Sequence, residues 1–124
     1  MARRESLYHK YPDYRVDLEP SERSVRVSLA GETIAESDRA LRVLETKHDP
    51  VIYVPREDVH LDRLERTDHE TFCPFKGEAS YWTVRAGGRV EENAVWSYES
   101  PFEQVAGLKD YMAFYTDRLS LEEL

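Results

Sequence analysis

The chain has 124 residues, 40% of them hydrophobic, which suits one domain with a real core rather than a disordered segment. Acids outnumber bases by 25 to 17, giving a formal charge of -8 that repels phosphate backbones and argues against a nucleic-acid partner. No apolar run approaches the ~20 residues needed to span a bilayer, so no membrane partner is expected either.

Residues 1–12 are polar, carry Tyr8 and Tyr11, and stop at Pro12; they read as an N-terminal arm ahead of a single globular domain over 13–124. Arg3 and Arg4 make the start basic, but no apolar segment follows, so it does not read as a secretory signal. Tyr14, Val16 and Leu18 then alternate with Arg15, Asp17 and Glu19, the pattern of a half-buried strand. After the turn residues Pro20 to Arg23, Val25, Val27 and Leu29 alternate again. Gly31 breaks the run before Thr33, Ile34 and Ala35, and the unit reads as an antiparallel meander.

Leu41 to Glu45 fits either a strand or a helical turn. Pro50 and Pro55 bracket Val51 to Val54 and restrict it to a short extended segment. Asp58 to Glu65 suits a short helix, and 67–77 reads as a loop. A strand over Ala79 to Arg85 turns at Gly87 and Gly88 into Arg89 to Val95, continuing through Trp96 to Tyr98. The best helical segment is Phe102 to Leu108, with Ser100 as cap and Pro101 in the first turn. A last strand takes in Met112, Phe114 and Tyr115. The expected fold is mainly β (a β-rich α+β domain): compact antiparallel sheets with a few short helices. Cys73 is the sole cysteine, which rules out an intrachain disulfide and fits a reducing, cytoplasmic location.

Cys73, Pro74, Phe75, Lys76 and Gly77 place several unusual choices together. Proline fixes the backbone after the cysteine, and glycine permits conformations closed to other residues. A thiol and an ammonium three positions apart can meet across a turn, where the cation would favour the nucleophilic thiolate. Lys76 is one of four lysines beside 13 arginines, so a lysine here is a departure from the chain's habit and a candidate anion anchor or tuned amine. The simpler reading makes Cys73 a small buried hydrophobe and Lys76 a solvated loop charge. Tyr53, Phe75, Tyr81, Trp82, Trp96 and Tyr98 offer apolar bodies with polar handles for a pocket wall, although neighbours such as Tyr81 and Trp82 must face opposite sides of a strand. Glu45 would be costly if buried unpaired, with Lys76 as a conceivable partner and a surface position as the plainer reading. His60, His69 and Cys73 make a poor zinc set without paired CxxC or HxxxH spacing, so no metal ligand is assigned. No serine sits in a nucleophile elbow.

These residues also fall into a longer order. Asp13 to Val16, Gly31 with Ala35 and Ser37, Leu44 and Glu45, Pro50 with Tyr53 and Pro55, and Asp58 with Val59 come first. The string Cys73, Pro74, Lys76, Gly77, Ala79 and Tyr81 follows, then Ala94, Trp96, Tyr98 and Pro101, and finally Phe114 and Tyr115. In this order, from about Tyr14 to Tyr115, the chain resembles domain-of-unknown-function family 427, small bacterial and fungal proteins also filed under a nucleotidyltransferase label. The resemblance implies a compact β-rich fold with short helices, and a pocket shared by Tyr53, Cys73, Lys76, Trp96 and Tyr98. It supplies no activity and no cofactor. Nucleotidyl transfer generally needs paired metal-binding carboxylates, and Glu91 and Glu92 after Gly87 and Gly88 are adjacent strand residues that point apart.

The expectation is therefore a pocket protein that binds, and in one version transforms, a small polar or anionic molecule. Lys76 would be the charge anchor, Cys73 a reactive or contacting thiol, and Tyr53 and Tyr98 hydrogen-bond donors. Trp96 would be the wall, with Tyr81 and Glu45 completing the lining. The alternatives are a non-enzymatic interaction or scaffold module whose acidic surface meets a basic partner, and Mg²⁺-dependent nucleotidyl transfer. A homo-oligomer is compatible with the sequence but not indicated by it.

Overall fold

Val25, Val27 and Leu29 are buried while Arg26 and Ser28 between them are only half covered, so the alternation in sequence becomes a strand with one face inward. A computed structural model describes residues 5–124, and the same logic recurs through them. The strands are β1 (Val16–Pro20), β2 (Val25–Leu29), β3 (Glu32–Ser37), β4 (Leu41–Glu45), β5 (Val51–Pro55), β6 (Leu64–Cys73), β7 (Gly77–Ala86), β8 (Arg89–Ser97), β9 (Tyr111–Phe114) and β10 (Ser120–Glu123). A seven-stranded sheet runs β1-β4-β5-β9-β8-β7-β6, and a three-stranded sheet runs β10-β2-β3; all pairings are antiparallel. The chain is thus β-rich, as its sequence implies. No helix is long and apolar enough to cross a membrane among the described residues.

Strand alternation divides the core in two. Val54, Trp82, Val84, Val95 and Met112 of the large sheet pack against Val25, Val27 and Ile34 of the small one. Their neighbours Tyr53, Tyr81 and Ala113 point the other way, into a second cluster closed by Phe102, Val105 and Leu108. Both faces of the large sheet are therefore covered, and Tyr81 and Trp82 do fall on opposite sides. Over Trp82 lie two guanidinium groups, Arg56 and Arg66, each 5.3 Å from the ring centroid. One carboxylate, Glu99, holds both at 3.0 and 2.7 Å. The Gly87–Gly88 turn of the large sheet abuts the Ala30–Gly31 turn of the small one: a Cβ on Gly87 would stand 2.6 Å from that of Ala30.

Several local expectations are corrected. Residues 14–35 do not form a meander. β1 pairs with β4, Val16 opposite Glu45 and Pro20 opposite Leu41, while β2 and β3 belong to the small sheet. The reason is destination: Val16 and Leu18 pack on the second cluster, whereas Val25 and Val27 belong to the first. Residues 67–73 are strand rather than loop, because β6 is an edge strand, mostly solvated on both faces, and carries no alternation to betray it. Its charges suit an edge that must not recruit another chain. Residues 41–45 settle as strand. The helix expected over 58–65 is realised as short 3₁₀ turns at Arg56–Asp58 and Leu61–Arg63, with Val59 between them bridged to Ala35. Glu103–Leu108 is also 3₁₀, entered from Phe102 rather than Ser100 and kinked at Val105. β10 is a strand that the sequence pattern does not predict.

Candidate functional site

The hairpin joining β6 to β7 ends with Cys73 opposite Gly77, leaving Pro74, Phe75 and Lys76 in the turn. Gly77 takes φ +117°, a region that favours glycine, and the Lys76 N–H donates to the Cys73 carbonyl at 3.3 Å. The Phe102 N–H donates to the Lys76 carbonyl at 3.1 Å, tying the turn to the segment that closes the second cluster. This backbone frame turns Lys76 inward. Its side chain is only 9% exposed, and it is not the solvated loop charge of the simpler reading.

Its partner is Glu45 at the end of β4, 12% exposed. Lys76 Nζ donates to Glu45 Oε1, the Tyr14 hydroxyl donates to Oε2, and His48 Nε2 lies 3.8 Å from Oε2. Burial pushes the Glu45 carboxyl up, but the hydrogen bonds from Lys76 and Tyr14 and the charges of Lys76 and His48 outweigh it and hold it below the usual carboxylate range. Beneath the pair, Lys76 Nζ sits 5.8 Å from the centroid of the Tyr98 ring.

Residues 7–14 wrap the outside of this turn. Tyr14 stacks on Phe75 at 3.7 Å with the rings 12° apart, and Tyr8 and Tyr11 meet the same ring edge-on. The Tyr8 hydroxyl donates to the Phe75 carbonyl at 2.6 Å and the Leu7 N–H to the Pro74 carbonyl at 3.0 Å. Burial raises the Tyr8 phenol to about 12. Residues 1–4 of the expected arm lie outside the described residues. Tyr14 is the group that sequence reasoning missed: nothing local marks a tyrosine 31 positions from the carboxylate it serves.

A cavity of about 400 Å³ opens beside the ion pair. Glu45, Tyr53, Lys76, Tyr81, Trp96 and Tyr98 all line it, so six of the seven residues singled out in the sequence come together. Tyr115 and the exposed His48 and Asp49 line it as well. Cys73 does not; half-buried, it packs with Phe72 against the second cluster. Trp96 Nε1 donates to the Tyr53 hydroxyl at 3.2 Å, which leaves the Tyr53 proton free to be donated onward. Tyr81 shares a 2.9 Å hydrogen bond with Thr71. Tyr98 is 7% exposed, and its hydroxyl, which has no hydrogen-bond partner among the described residues, is the part left accessible in the cavity. Burial pushes the phenols of Tyr53 and Tyr98 well above the ordinary tyrosine value, so both are neutral donors at any physiological pH.

The sequence model of a family described as a domain of unknown function, DUF427, matches residues 17–123. The chain belongs to that family. No curated protein matches it. In this DUF427 chain the string from Cys73 to Tyr81 has a spatial logic: Cys73 and Gly77 frame the turn, Lys76 enters the cavity, Ala79 is fully buried at 1% exposure, and Tyr81 returns to the cavity wall. Glu91 and Glu92, the carboxylates weighed against the nucleotidyltransferase label of the DUF427 family, are set apart. Glu91 is paired with Arg89 at 2.7 Å, and its neighbour Glu92 points to the other face of β8. Among the described residues no three His, Cys, Asp or Glu side chains gather as a metal set. His69 instead packs edge-on against Tyr81, 4.5 Å between centroids.

Proposed function

We propose that the cavity between β4, β5, β7 and β8 binds a small, flat, neutral molecule rich in hydrogen-bond acceptors. The observation that carries this reading is Tyr98, whose ring is covered while its hydroxyl, without a partner among the described residues, stays accessible in the cavity it lines. A ligand carbonyl accepting from that hydroxyl exchanges a water for a fixed partner and gains about 0.5–1.5 kcal/mol net. Tyr53 offers a second donor, and Trp96 and Tyr115 supply faces for a flat ring. Charge favours a neutral ligand over an anion. Lys76 already has its counter-ion in Glu45, and Asp49 adds a further negative charge to the lining. Cys73, outside the lining, has no chemical part in this reading.

Benzamide carries one such carbonyl on one such ring and serves as the probe. It should quench Trp96 fluorescence and raise the melting temperature at millimolar concentration. Tyr98→Phe should weaken it about fivefold, the value of one hydrogen bond worth about 1 kcal/mol. Benzoate should bind more weakly than benzamide. Absence of any benzamide effect, or equal binding by Tyr98→Phe, would refute the reading.

A further inference from the structure

We propose that the ligand is bipartite, with an apolar arm ending in a cationic group that lies in a second hollow across Trp96 and Tyr115. The inference deepens the binding reading above and rests on it. Pairing between β5 and β9 stops at Tyr53 opposite Ala113; beyond it Val51 and Ile52 pair only with β4 and Phe114 only with β8, so the two segments make no registered pairs with each other. Pro50, which has no N–H to offer a ladder, stands where the two segments part. The opening is a hollow of about 440 Å³ walled by Pro50, Ile52, Phe114 and Leu121.

This hollow shares Val51, Trp96 and Tyr115 with the cavity that holds Tyr98 and the ion pair, so the two spaces are neighbours across one pair of rings. The Trp96 and Tyr115 centroids are 4.6 Å apart at 46°. Arg118 braces the partition, its guanidinium 5.1 Å from the Tyr115 ring centroid and its donors engaged by the carbonyls of Glu92 and Asn93. The hollow also holds Asp117 and Glu123, neither of which has an ion-pair partner among the described residues. An apolar channel with two unpaired carboxylates at its rim fits an alkyl arm bearing an amine, and disfavours an acidic one.

Titration of benzamide, N-butylbenzamide and N-(aminobutyl)benzamide against the full chain tests this, read by Trp96 quenching. The butyl arm should tighten binding at least threefold and the terminal amine at least a further fivefold. The amine's increment should vanish in the Asp117→Asn, Glu123→Gln double variant and shrink in high salt, while the butyl increment persists in both. Benzamide binding with no gain from the arm, or an amine gain that survives the double variant, overturns the bipartite ligand and leaves the head site standing. No binding by benzamide itself overturns the site reading and the arm with it.

Discussion

Lys76→Met removes a cation while keeping most of the side-chain volume, so its effect isolates the ion pair with Glu45. Both side chains are about nine-tenths covered, at 9% and 12% exposure, and loss of one partner from such a pair leaves the other charge buried alone. Truncating a buried pair on one side costs 3–5 kcal/mol, and about 3 kcal/mol is expected here because Tyr14 still donates to the second Glu45 oxygen. Glu45→Gln should cost about 2 kcal/mol, since Lys76 keeps an amide oxygen and the Tyr98 ring. The double variant buries no charge and should lose less than the sum of the two, by roughly 2 kcal/mol or more of coupling. The pH dependence has a defined sign. In the parent chain Glu45 titrates below the ordinary carboxylate range, so its contribution is present through and above that range and is lost as pH falls through the folded value. In Lys76→Met, burial outweighs what remains and raises the folded value, so the penalty is greatest at neutral pH and fades toward pH 4. Urea unfolding of the four proteins at pH 7 and pH 4.5 measures all of this. Single variants within about 1 kcal/mol of the parent, or a gap that widens on acidification, would refute the buried-pair argument.

Gly87→Ala meets two obstacles, a φ of +56° and the Ala30 Cβ and carbonyl at 2.6 and 3.0 Å, and should cost about 3 kcal/mol. Gly88→Ala has φ +76° but open space, and about 1 kcal/mol is expected, so the difference in melting temperature between the two reports the contact between the turns. Glu99→Gln should cost about 1 kcal/mol at pH 7, kept small by the one-third exposure of Glu99 and of Arg56. Its carboxyl is held below the usual carboxylate range, chiefly by the hydrogen bond from Arg66, so the parent's advantage should disappear as pH falls through the folded value, measurable as converging melting temperatures.

What the sequence made legible follows burial. β2, β5, β7 and β8 each put apolar residues on at least one covered face, and their strands could be placed from pattern alone. β6 and β10 are solvated edge strands, whose exposed faces exert no selection for alternation, so one read as loop and the other went unseen. The partner of β1 was also out of reach: Val16 and Leu18 announce a buried face but not which of two cores receives it. At the site, the family string located Lys76, and the cost of an unpaired buried carboxylate pointed to Glu45 as its conceivable partner. Tyr14 and Tyr115 also stand in the family order, but nothing signalled their roles, which come from stacking and hydrogen bonds across long separations in sequence.

The strand order carries a mechanical consequence. β1, β4 and β5 form one ribbon of the large sheet and β8, β7 and β6 another, and the four residues of β9 stitch them together. On the β8 side that stitch is two residue pairs, Val95 with Phe114 and Trp96 with Ala113. Glu45 and Tyr53 belong to the first ribbon, while Lys76, Tyr81, Trp96 and Tyr98 belong to the second or its flanks, so the cavity straddles the joint. Any occupant therefore acts as a rivet across two halves that share little ladder. Its binding should register as slowed amide exchange at Met112 to Phe114, away from the contacting atoms.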